Sequence, residues 1–309
     1  DKLISNKVNL NLQDNTGCTA LHLAITNRRW EVARRLIDAG CKIDLKNNLG
    51  NTPCHNTIMW DQAKFNSEST NILDRLFKQG SIIEVKNNCG DTVLMQASNI
   101  LDIPMMTYLT DHGADITTTD NMGRGLIHNV VTSKYHGRQL RELNNIKKCK
   151  MELKTYGLYS KINTSFDNDE IEFAVPFQKI HEGIDHVPQE KLSSAFNLSV
   201  MRFLLSKKLD VNATDNNGHN ALHLAAQTGN LMATIYLLEN GADVTAKDKF
   251  GFTPIMFALS HDAVFKVLWE KSLPKMTEDQ FNLLRLLAHW RSNDGVKEKC
   301  ESRITTFTD

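Results

Sequence analysis

The chain has 309 residues, with 36 Lys and Arg against 36 Asp and Glu, and so no formal net charge. That balance lacks the excess of cations on which general nucleic-acid binding depends, and no apolar run approaches the ~18 residues of a membrane-spanning helix. The six cysteines (18, 41, 54, 89, 149 and 300) form no C-x-x-C pair and read as free thiols of a reducing, cytoplasmic compartment.

Two series of glycines order the chain. Gly17, Gly50, Gly90, Gly123, Gly218 and Gly251 form the first, and three of its intervals are 33 residues. Gly40, Gly80, Gly113 and Gly241 form the second, each after a leucine-rich helical stretch. Together they predict a stack of two-helix units. Leu3 to Asn9 aligns with Leu237 to Gly241, so residues 1–13 read as the tail of a preceding repeat, and the chain as a fragment of a longer protein. Repeats one to three occupy 14–119. The first has helices near 19–27 and 30–38. The second carries about seven extra residues near Asp61 to Thr70. The third, from Asn87 to Ile116, has no insertion.

Repeat four opens at Asp120 and keeps Leu126-Ile127-His128. The next tip glycine is 95 residues beyond Gly123, close to three periods. One reading is a single repeat with about 62 residues inserted between its helices; the other, favoured here, is two repeats lengthened by about 14 each. In the second, Met151–Gly157 is a second helix, Asp167–Glu170 a tip, Phe173–Phe177 a weak first helix and Val200–Leu205 the next second helix. Residues 120–214 are then degenerate repeats four and five. Repeats six and seven fill 215–270. Residues 271–309 are a helical cap, with Glu278–Trp290 as its helix, and a frayed tail.

The sequence around the markers resembles the ankyrin-repeat family. Asp14-Asn15-Thr16-Gly17-Cys18-Thr19-Ala20-Leu21-His22-Leu23-Ala24 carries its pattern, as does Asp215 to Ala226, continued by Leu237, Leu238, Gly241 and Asp243. Thr52-Pro53-Cys54-His55 and Thr253-Pro254-Ile255-Met256 are further copies. The resemblance implies an all-α ankyrin-repeat solenoid of about seven repeats, two of them degenerate with insertions. Each motif position has a physical reason: glycine takes a positive φ at the tip, threonine caps the first helix, and proline suits its first turn. One repeat alone cannot bury its apolar face, so the units must stack.

His22, His55, His128 and His223 share one repeat position, where the resemblance implies hydrogen bonds within and between repeats. His181 and His186 stand at i and i+5, about 140° apart on a helix, unsuited to sharing a metal. No phosphate loop, nucleophile elbow or catalytic carboxylate pair is present, so neither an enzyme site, a metal site nor a cofactor is expected. Lys134 to Lys154 is basic and Asp167 to Glu190 acidic. They read as solvated faces that partly neutralise each other, or as a docking surface for an acidic partner.

The resemblance implies a binding role: an intracellular protein-protein interaction scaffold that uses its concave groove and the middle insertion. Candidate contact residues at the tips are Lys46, Asn48, Asn51, Lys86, Asn88, Asp91, Met122, Arg124, Asn217, His219, Lys247, Phe250 and Phe252. Thr26, Asn27, Gln227 and Thr228 are candidates on the helices. Phe250 and Phe252 read equally as interface anchors or as packing under the C-terminal helix, while Trp30 and Trp60 read as core. The expected partner is a protein, not a nucleic acid. The alternative is a regulatory region of a channel, toxin or enzyme that binds a small anion or nucleotide, with Lys134–Lys154 as its seat.

Overall fold

In the computed structural model, residues 8–58, 67–133 and 189–290 are described. Their organisation is set at the tips. In each tip an Asp or Asn three residues before the glycine turns its Oδ1 onto two main-chain amides. Asn47 does this to Leu49 and Asn51, and Asp248 to Phe250 and Phe252. The glycine closes the turn with positive φ, +76° at Gly50, a region where a Cβ is strained.

Behind each tip stand two antiparallel helices. The first helices are α1 (Ala20–Thr26), α4 (Val93–Asn99), α6 (Leu126–Thr132), α8 (Ala221–Thr228) and the short α10 (Pro254–Phe257). The second helices are α2 (Trp30–Asp38), α3 (Ser67–Lys78), α5 (Ile103–Asp111), α7 (Gln189–Ser206), α9 (Leu231–Glu239) and α11 (Asp262–Ser272). The first helix of repeat two is reduced to a 3₁₀ turn, His55–Thr57. Most of the insertion expected near Asp61–Thr70, and Trp60, lie outside the described residues, and α3 has begun by Ser67. No strand forms among the described residues; one isolated bridge pairs Thr214 with Asn220.

Leucine, isoleucine and alanine at the facing positions make one continuous core. Leu21, Ile25, Ile72, Leu109, Leu126, Leu204, Leu222 and Leu237 are each at most 1% exposed. Trp30 packs against it from the edge. Helix α12 (Glu278–Trp290) packs onto the stack after α11: Leu284 and Ala288 are buried, and Phe281 meets Trp269 with ring centres 6.5 Å apart. In the first described repeat two positions are more exposed than their later equivalents. Leu23 and Val32 are 43% and 50% exposed, whereas their equivalents Leu224 and Ala233 are 8% and 1%.

The tips of Gly123 and Gly218 meet directly. The amide of Asn216 donates to the carbonyl of Met122 (2.8 Å), and Asn216 Nδ2 to the carbonyl of Asn121 (3.1 Å). These two tips are direct neighbours, with none between them. Helix α6 packs on α8, and α7 on both α6 and α9. Among the described residues, α6 and α7 are the helices that stand between these two neighbouring tips, and the repeat division of 134–188 lies outside them. The tip and helices expected at 151–177 fall outside the described residues.

Candidate partner-binding surface

Three ladders run along the tips. In the first, the amide two residues before each glycine donates to the carbonyl one residue before the preceding glycine: Asn48 to Thr16, Asn88 to Leu49, Asn121 to Cys89, Asn216 to Met122 and Lys249 to Asn217, all at 2.8–3.1 Å. In the second, asparagine side chains follow the same path. Asn48 Nδ2 donates to Asn15 O (3.0 Å), Asn88 to Asn48 O (2.9 Å) and Asn121 to Asn88 O (2.8 Å).

Buried histidines form the third ladder. Nδ1 of His22, His55, His128 and His223 accepts the amide of the capping residue three positions earlier, at 3.1–3.2 Å. With Nδ1 acting as acceptor, Nε2 carries the proton and donates to the carbonyls of Asn51, Asp91, His219 and Phe252 in the next repeat, at 3.0–3.1 Å. Burial holds all four imidazoles below their ordinary pKa, which favours this neutral form.

These ladders reassign several candidates. Asn48 and Asn88 use their amides inside the stack. Asn51 Oδ1 accepts from Asn87 Nδ2 (3.0 Å). The carboxyl of Asp91 is half-buried, and burial pushes its pKa up. Lys46 Nζ donates to Lys86 O (2.7 Å), and Lys86 Nζ to Thr119 O (2.5 Å). Arg124 grips the buried Asp120 carboxylate with Nε (2.8 Å) and a second nitrogen (2.7 Å). His219 lies between two buried carboxylates, 3.3 Å from Asp215 and 3.5 Å from Asp248, with its ring edge-on to Phe257. Phe252 is partly buried and also meets Phe257 at a steep angle. Thr26 Oγ1 accepts from Asn56, Asn27 and Thr228 bond back to their own helices, and Gln227 offers its carbonyl to His261.

Several candidates do face outward at the tips. Met122 is 57% exposed and Phe250 77%, and Lys247 and Asn217 are exposed as well. Leu49, 66% exposed, and Cys89, also exposed, were missed by sequence reasoning. The available signal was positional: Leu49, Cys89, Met122, Asn217 and Phe250 all stand immediately before a tip glycine.

Chemistry at the described residues is sparse. No group of three or more His, Cys, Asp or Glu suited to a metal ion occurs among them. Burial pushes the Cys41 and Cys54 thiols up to about 11, away from the reactive thiolate. No described helix is long and apolar enough to cross a membrane. Lys134–Lys154, the acidic run through residue 188, His181 and His186 lie outside the described residues.

Comparison with known proteins agrees with this geometry. Family models of ankyrin repeats match residues 3–55 and 192–279. Human neurogenic locus notch homolog protein 1 is 28% identical over 119 residues, 38% of this chain. Human neurogenic locus notch homolog protein 2 is 32% identical over 116 residues, 37% of this chain. The match spans only 4% of the length of these relatives. An ankyrin repeat domain from Acinetobacter baumannii AYE superposes with a TM-score of 0.50 at 16% identity, over 81% of this chain and 96% of that one. The fold is the ankyrin-repeat fold, a module of protein-protein interaction that is typically non-catalytic.

Proposed function

We propose that this ankyrin-repeat protein is an intracellular scaffold that holds a protein partner along its tip row and concave groove. The observation that carries this reading is the division of labour at the tips. The tip asparagines Asn48 and Asn88 are spent on the stack, while the side chains of Leu49, Met122 and Phe250 are held outward. Exposed apolar and aromatic side chains on a rigid frame suit interface anchors, because little conformational freedom is lost on binding. The basic and acidic runs between Lys134 and Glu190 provide a second contact region, with charges that steer encounter.

The test is affinity capture from a lysate with three baits: the intact chain, Leu49→Ser/Met122→Ser/Phe250→Ser, and a chain lacking 134–188. The tip variant should lose the partner retained by the intact chain while its melting temperature stays the same. Full retention by the tip variant contradicts the tip reading; full retention by the deletion contradicts a role for the insertion.

A further inference from the structure

Resting on the tip reading above, we infer the chemistry of the partner: an extended, acidic segment with interspersed apolar side chains. The main chain of the tips is closed to it. At the second tip the amide of Asn48 is given to Thr16 O, that of Leu49 to Asn47 Oδ1, and that of Gly50 to Asn47 O. The third and fourth tips repeat this at Asn88, Cys89 and Gly90, and at Asn121, Met122 and Gly123. An incoming strand therefore finds no row of tip amides to pair with, and a small anion finds no nest of them. Recognition falls to side chains.

Those side chains are of two kinds. Leu49, Cys89 and Met122 are exposed on three successive tips that the amide ladder holds in register, and Phe250 is exposed on the last. Beside them stand exposed lysines, with Asp44 as an exposed carboxylate two residues before Lys46. Lys46 and Lys86 are exposed on the tips of Leu49 and Cys89, and Lys247 and Lys249 on the tip of Phe250. Of the tip carboxylates, Asp120, Asp215 and Asp248 are buried and turned onto the tips' own amides, Asp91 is half-buried and Asp14 is exposed at the first. Lys46 and Lys86 each give one N–H to a carbonyl of the next repeat; an ammonium has three. A cationic, apolar edge without available amides complements carboxylates interspersed with leucine-like side chains.

The probe is a fluorescein-labelled peptide of about 16 residues, roughly 50 Å when extended, composed of Glu, Leu, Gly and Ser. Fluorescence anisotropy with the full chain compares it with three analogues: Gln for Glu, Ser for Leu, and Lys for Glu. Each analogue should bind at least about tenfold more weakly, and so should the parent peptide when salt rises from about 0.05 to 0.5 M. Leu49→Ser/Met122→Ser should weaken the parent peptide to a similar degree. Equal binding of the Lys analogue, or indifference to Leu49→Ser/Met122→Ser, overturns the inference. If the tip variant loses its captured partner while the peptides do not discriminate, the tip reading stands and the acidic, apolar assignment falls.

Discussion

The amide of Asn216 donates to the carbonyl of Met122 at 2.8 Å, although 94 residues separate them in sequence. The same bond joins Asn88 to Leu49 and Asn121 to Cys89, where the separation is that of neighbouring repeats. The row of tips is therefore continuous across the longest gap in the pattern.

Close packing at this junction makes Gly123 irreplaceable in a way that Gly113 is not. A Cβ at Gly123 would lie 2.3 Å from Asn216 Oδ1, while one at Gly113 would meet nothing within 4 Å. Both have positive φ, +73° and +89°. Gly113→Ala should cost about 1 kcal/mol, the ordinary strain of a left-handed alanine. Gly123→Ala should cost about 2–3 kcal/mol, because the tips must also part. Urea denaturation measures both; equal losses would mean that the two tips are not in contact.

Asp102 caps α5 by accepting the amide of Met105 (3.0 Å), and burial raises its carboxyl to about 6. Asn230 does the same work uncharged at the equivalent position of α9, accepting from Ala233 (3.1 Å). With the folded pKa above the unfolded one, the folded state binds the proton more tightly. The stability linked to Asp102 is thus fully present below pH ~4 and lost as pH rises through ~6. Asp102→Asn should stabilise the chain at pH 7 by on the order of 1–3 kcal/mol, with the gain vanishing near pH 4. A variant less stable at pH 7, or a difference independent of pH, would refute this.

The histidine ladder has the opposite sign. Its pKa values lie below the ordinary one, so its contribution is present above pH ~6.5 and lost as pH falls toward the folded values. Met95 and Met256 occupy the same position in repeats without the histidine. His55→Met removes the donor to Asp91 O and should cost about 1–2 kcal/mol at pH 8. That cost should shrink at pH 5, where burying a neutral imidazole is itself unfavourable. Stability curves at the two pH values check this; a cost that grows on acidification contradicts the ladder.

Much of this arrangement was legible beforehand. The tip glycines and helix pairs rest on local rules, namely a positive φ, a cap and apolar spacing. The capping histidines were correctly read as bonded within and between repeats. The direct contact between the tips of Gly123 and Gly218 was not legible, because the residues between them leave no mark on either tip. Nor were the roles of Asn48 and Asn88, since each amide finds its acceptor on a neighbouring tip. Arg124 looked available by residue type, but Asp120 holds it. Leu49 and Cys89 were overlooked because residue type was weighed before position relative to the glycine. Phe250 and Phe252 looked alike, and only the placement of Phe257 separates the exposed one from the half-buried one.

Leu23 and Val32 supply a test of the packing rule. They occupy positions that stacking covers elsewhere, yet they are 43% and 50% exposed. Leu23→Ser should change stability by less than about 0.5 kcal/mol, as surface substitutions do. Leu224→Ser, at the equivalent covered position, should cost about 2–3 kcal/mol. Chemical denaturation of both reads the contrast; equal costs would mean that Leu23 is covered in solution.

Continuity of the tip row is the premise on which the binding surface depends, and amide hydrogen exchange measures it most directly. The Asn216 amide, bonded to Met122 O, should exchange as slowly as those of Asn88 and Asn121. Exchange of Asn216 at the rate of an open loop, with Asn88 and Asn121 protected, would break the row at Gly123 and contradict the account.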